Sequence, residues 1–167
     1  MSKILMIIAP QNYQDNEFEI PRDTFINSGH TVTVASKDVK IATGVLGGTT
    51  KVDIDISQVN PDMYDSVVFV GGSGADLYFD DLVAHKIVKE FSEADKVVAA
   101  ICIAPSTLAN AGILNGKKAT AFSTQEKHLK NTGATYTGSD VEVDGRIVTA
   151  NGPGAAKEFA DKILAFL

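Results

Sequence analysis

The sequence holds a single cysteine, Cys102. It closes the apolar run Val97–Ile101 and is followed at once by Ile103-Ala104-Pro105 and a segment of helical period. The run predicts a strand buried on both faces. Strand, cysteine and helix in immediate succession, with Ala100 two positions before and Ala104 two after, match the steric plan of a nucleophile elbow. Such a turn thrusts its central side chain above the carboxyl end of the sheet, where open α/β sheets bind ligands. The free amides and positive dipole end of the following helix predict a thiol whose pKa is lowered. Pro105 suits a first helical turn, where its missing N–H costs nothing. A lone cysteine is also compatible with a small buried apolar side chain, but the paired alanines favour the reactive reading. One cysteine excludes an intrachain disulfide and a multi-cysteine zinc or iron–sulfur site.

Two further segments bring chemistry to the same sheet edge. Gly71-Gly72-Ser73-Gly74 follows the apolar run Ser66–Val70. Glycine lets the backbone approach a substrate closely, so the Gly72 amide is a candidate oxyanion donor, with the Ile103 amide as the second. The loop is neither a phosphate-binding loop nor a dinucleotide fingerprint, since both spacings are absent. After the first strand, Gln11–Pro21 carries Asp15, Glu17 and Glu19. A buried carboxyl there can hydrogen-bond a thiolate or shuttle a proton, although acidic residues also favour any first helical turn. Periodicity does not separate Glu17 from Glu19. The histidines offer less: His30 is expected in a turn, His85 as a satisfied core residue on a helix stripe, and His128 on a solvated helix face. None adjoins Cys102, so a papain-like pair lacks its base. Their spacing suits no metal, and neither a metal nor an organic cofactor is expected.

The elements that must position these residues alternate. Ile4–Ala9, Thr31–Ala35, Ser66–Val70, Val97–Ile101 and Ile147–Ala150 predict strands. Glu17–Ser28, Asp81–Ala94, Ile103–Ala111, Thr124–Asn131 and Pro153–Leu167 predict helices, with Leu82, His85, Val88 and Phe91 on one stripe of the second. That order predicts a three-layer α/β/α sandwich around a mostly parallel sheet. Val39–Ile56, with Gly44, Gly47 and Gly48, predicts a hairpin excursion, and Asp144-Gly145 a tight hairpin turn. The 167 residues make one domain, residues 1–167, at roughly 100–200 residues per domain. Hydrophobic residues are 44% and charged residues 22%, as in ordinary globular chains. Fifteen Lys+Arg against 21 Asp+Glu give −6, which argues against a nucleic-acid partner. No apolar run approaches the roughly 20 residues of a membrane span, and the N-terminus is a poor signal peptide. A cytoplasmic location is the expectation.

These residues resemble the ThiJ/PfpI superfamily, whose fold is flavodoxin-like and related to class I glutamine amidotransferases. The resemblance runs through KILMIIAP, YQDNEFEIP, SGHTVTVAS, YDSVVFVGGSGA, VVAAICIAPSTLANAGILNGKKAT and DVEVDGRIVTANGPGAAKEFADKIL, essentially the whole chain. It implies that Cys102 is the nucleophile, that Glu17 rather than Glu19 is the buried glutamate beside it, and that Gly72 and Ile103 supply oxyanion donors. Gly71, Ser73 and Pro153 become candidate pocket residues. Members regarded as proteases usually carry histidine directly after the cysteine, where this chain has Ile103. No histidine follows Lys118–Phe122, where some glyoxalase-like members have one. The ending Asn151-Gly152-Pro153-Gly154 is more similar to the branch associated with glyoxalase, deglycase and oxidative-stress roles, which implies cofactor-independent chemistry on a small reactive aldehyde or its adduct. A peptidase or amidase, and a redox-sensing or chaperone-like stress protein using an oxidisable Cys102, are the alternatives. The resemblance also implies a homodimer or higher homo-oligomer.

Overall fold

The uninterrupted apolar runs are central strands, and the segments of helical period are the helices that cover them. A computed structural model describes every residue, Met1–Leu167. In chain order the elements are β1 (Lys3–Ile7), β2 (Gln11–Tyr13), α1 (Asp15–Asn27), β3 (Thr31–Ser36), β4 (Ile41–Gly44), β5 (Thr49–Lys51), β6 (Ile54–Asp55) and β7 (Ser66–Phe69). There follow α2 (Leu82–Glu93), β8 (Val97–Ile101), α3 (Pro105–Asn110), β9 (Lys118–Ala119), α4 (Glu126–Asn131), β10 (Thr135–Tyr136), β11 (Val141–Asp144), β12 (Ile147–Ala150) and α5 (Ala156–Leu164). The main sheet has the order β11-β12-β8-β7-β1-β3-β6. Only β11 runs antiparallel, joined to β12 by the expected turn at Gly145.

Alternation along each strand builds two cores. Leu5 and Ile7 of β1, with Val98 and Ala100 of β8, pack on one face with Ile87 and Phe91 of α2, Leu108 of α3 and Leu129 of α4. Ile4 and Met6, with Val97, Ala99 and Ile101, pack on the other with Phe18 and Phe25 of α1 and Phe159 and Ile163 of α5. Burial on both sides explains why these strands read as continuous apolar runs instead of alternating ones. The α/β/α sandwich is thus present, with β8 between β7 and β12 and the carboxyl ends of all three at one edge. No helix is long and apolar enough to cross a membrane.

Several boundaries differ from the sequence expectation. Within Val39–Ile56, β4 and β5 form the hairpin, but Ile54–Asp55 joins the main sheet parallel to β3. Two residues are too few to leave a periodic signal. The short strands β2 and β10 escaped notice for the same reason. Helix α3 starts at Pro105, not Ile103, because the elbow consumes the residues between. Leu82 is 81% exposed in the first turn of α2, and Ala84 takes its place on the buried stripe.

The hairpin is strapped to the start of α1. Asp15 is 5% exposed, and its oxygens accept the Leu46 and Gly48 amides, each at 2.8 Å. A Cβ on Gly44 or Gly48 would strike that carboxylate, so a larger residue at either position would displace it. The Val45 amide also donates to the Tyr13 carbonyl at 2.9 Å. Replacing Asp15→Ala removes two charge-assisted hydrogen bonds and is expected to lower unfolding free energy by about 1–3 kcal/mol. Urea unfolding measures this, and a change below about 0.5 kcal/mol would show that the strap contributes nothing to stability.

Candidate active site

Cys102 has φ +65°, in the left-handed region that non-glycine residues avoid at a cost of about 1–3 kcal/mol. Its neighbours hold it there. The Cys102 amide donates to the Ala150 carbonyl at 2.9 Å, the Phe122 amide donates to the Cys102 carbonyl at 2.8 Å, and the Ala104 amide returns to Ile101 at 3.1 Å. Ala100 and Ala104 are both buried inside this turn. The small side chains that marked the elbow in the sequence are therefore the ones its curvature requires.

Gly71 is where three segments converge. A Cβ there would lie 2.5 Å from the Cys102 Cβ and 2.8 Å from the Ile101 carbonyl, and would strike the Glu17 carboxylate. At Gly72, φ is +99°, and a Cβ would collide with the Asn12 carbonyl and the Gln14 amide. The Gln14 amide donates to the Gly71 carbonyl at 3.0 Å. The Gln14 side chain caps α1 by accepting the Glu17 amide at 2.9 Å. Gln14 is a positioning residue the sequence reading missed, because glutamine is not among the preferred caps.

Glu17 is completely buried, and neither carboxyl oxygen has a hydrogen-bond partner of ordinary geometry. Burial pushes its pKa from 4.5 up to about 7, while the nearby Cys102 thiol and Gly71 amide partly offset the rise. Glu19 is only half-buried on the same turn. The choice that periodicity left open thus falls to Glu17 on burial and contact.

Cys102 is half-buried. Burial first, and the Glu17 charge second, push the thiol up to about 12, against the pull of the Gly72 and Ile103 amides. This corrects the expected lowering by a helix terminus. The first turn of α3 begins three residues on, at Pro105, and the two amides do not outweigh desolvation beside a carboxylate. With Glu17 protonated, the charge repulsion disappears, so the two groups titrate as a pair.

Ser73 is exposed at the start of a short 3-10 helix. Pro153 is exposed beyond β12, the strand that receives the Cys102 amide. The histidines are engaged elsewhere. His30 Nδ1 accepts the Ser2 amide at 3.0 Å, and His85 Nε2 meets the Phe79 carbonyl at 2.7 Å. His128 is half-buried against Asn110 Oδ1 at 2.5 Å, not solvated as expected. No three His, Cys, Asp or Glu side chains are grouped to hold a metal ion.

Raising a buried carboxyl's pKa couples it to folding. The folded protein holds the Glu17 proton more tightly than the unfolded chain, so this stability is present below pH 4.5 and is lost as pH rises through about 7. Relative to Glu17→Gln, wild type is expected to lose on the order of 3 kcal/mol over that interval. Parallel urea unfolding curves from pH 4 to 8 measure the difference, and a constant offset would contradict a burial-raised Glu17.

The DJ-1/PfpI family matches residues 2–166. An uncharacterized protein of Methanocaldococcus jannaschii is 41% identical over 166 residues, covering 98% of this chain and 81% of the relative. A protein of Thermococcus kodakarensis named a deglycase is 35% identical over 150 residues, 90% of each chain. The crystal structure of a ThiJ/PfpI domain protein from Brachyspira murdochii superimposes with a TM-score of 0.96 at 36% identity, covering 98% of this chain and 95% of the other. The chain belongs to the DJ-1/PfpI family.

Proposed function

We propose that this protein is a cysteine-dependent enzyme of glyoxalase or deglycase type, acting on 1,2-dicarbonyls such as methylglyoxal or on their adducts with amines and thiols. The observation that carries the reading is a completely buried Glu17 meeting Cys102 across Gly71, with the Gly72 and Ile103 amides beside the sulfur. A relative of similar length named a deglycase supports it.

The steps use only these groups and water. The Glu17 carboxylate takes the Cys102 proton as the sulfur attacks the aldehyde carbon, a C–S bond forms, and the carbonyl π pair moves to oxygen. The backbone amides stabilise that oxygen, and Glu17 supplies its proton to give a hemithioacetal. Glu17 then takes the hydrogen of that carbon as a proton, and an enediolate forms with its charge on the former ketone oxygen. Return of the proton to the adjacent carbon, with the hydroxyl proton passing to that oxygen, yields a thioester of a 2-hydroxy acid. One carbon is oxidised while its neighbour is reduced, so no external oxidant enters. Water attacks the thioester, the C–S bond breaks, and the hydroxy acid leaves with the thiol restored. A carboxyl with a pKa near 7 suits both proton delivery and removal. A peptidase would need an imidazole beside Cys102, and the three histidines are bonded elsewhere.

Methylglyoxal turnover tests the mechanism. Cys102→Ser and Glu17→Gln are each expected to lower kcat by at least about a hundredfold. Near-wild-type turnover in both variants would remove the proposal.

A further inference from the structure

The edge at Cys102 has two unlike sides. Strand β8, which ends at Cys102, lies between β7 and β12. From the β7 side come Gly71, Gly72 and the Glu17 carboxyl packed against them. From the β12 side comes the Gly152–Pro153 turn, and over it the ring of Phe122, whose Cδ2 lies 4.0 Å from where a Cβ on Gly152 would stand. Phe122 is 43% exposed. Its backbone is fixed at both ends: the amide donates to the Cys102 carbonyl and the carbonyl accepts the Gln125 amide, each at 2.8 Å. The preceding Ala121 carbonyl accepts the Tyr136 hydroxyl at 3.3 Å. A partly exposed aromatic side chain is thus carried over Gly152 on a backbone hydrogen-bonded directly to that of Cys102, which has little freedom left to lose on binding.

Resting on the reading above, we propose that Phe122 is a specificity-determining residue, its ring, with Pro153, receiving the apolar substituent of the substrate while the amides of Gly72 and Ile103 receive the carbonyl oxygen. The favoured substrates are then 1,2-dicarbonyls with an aryl or branched alkyl group on the ketone carbon. A ring that meets an aryl group by stacking or edge contact adds affinity that glyoxal, with only hydrogen there, cannot use. Such a contact is made equally in the ground and transition states, so its loss raises KM more than it lowers kcat.

The test compares phenylglyoxal with glyoxal in wild type, Phe122→Ala, Phe122→Leu and Cys102→Ser. The measured quantity is the ratio of the two kcat/KM values, since taking it within each protein and comparing between proteins cancels the intrinsic reactivity of the aldehydes. Phe122→Ala is expected to lower this ratio at least about tenfold, chiefly through the phenylglyoxal KM, and Phe122→Leu to keep most of it. Should the alanine variant fail to fold by circular dichroism, Phe122→Leu and Phe122→Ser decide the question, with the serine variant expected to lose the preference and the leucine variant to retain it. A ratio that moves less than about twofold in the alanine or serine variant overturns the role of Phe122, while Cys102-dependent turnover leaves the proposed reaction standing. Wild type inert toward both aldehydes overturns the reaction and the inference together.

Discussion

A carboxyl group without a well-made hydrogen bond is buried against a thiol flanked by two backbone amides. That imbalance governs the site. Burial penalises the Glu17 anion, and the amides of Gly72 and Ile103 stabilise negative charge on sulfur. In the account proposed here, the single proton left on the pair above about pH 7 resides on sulfur, and the Glu17 carboxylate takes it as the sulfur attacks. The Glu17 protonated in that step then stands ready to protonate the carbonyl oxygen. The pair exists only because Gly71 has no side chain, since a Cβ there would overlap both partners.

The rest of the fold holds this arrangement against its own cost. Cys102 carries a backbone conformation that alone is unfavourable. Hydrogen bonds to Ala150 and Phe122 lock it from two directions, and β8 beneath it is buried along its full length. On the other partner, Glu17 is aimed by the Gln14 cap and by Phe18 and Phe25, which anchor α1 in the core. Asp15 ties the same helical turn to the β4–β5 hairpin. Thus the segment carrying Glu17 is clamped between the Gly71–Gly72 turn and an excursion distant in sequence.

Much of this was legible from residue order because local rules and tertiary structure agree. Val97–Ile101 reads as a doubly buried strand and is one, and the alanines flanking Cys102 announce an elbow whose curvature tolerates nothing larger. Other features depend on contacts that sequence spacing does not encode. Glu17 and Glu19 share a helical turn, and only the position of Gly71 distinguishes them; a family resemblance chose Glu17 before geometry did. The helix terminus visible in sequence predicts a lowered thiol, whereas the desolvation beside a buried carboxylate that raises it has no sequence signal. The backbone of Phe122 is bonded to that of Cys102 twenty residues earlier, a pairing with no local signature.

Where the shared proton resides is answered most directly by the rate at which Cys102 reacts with iodoacetamide across pH, followed by intact mass. Alkylation reports the thiolate alone. With the proton on sulfur, the rate stays low through pH 7 and climbs only as pH approaches about 12. A rate that instead rises to half its maximum near pH 7 and then levels off would place the charge on sulfur beside a protonated Glu17, and would contradict the account.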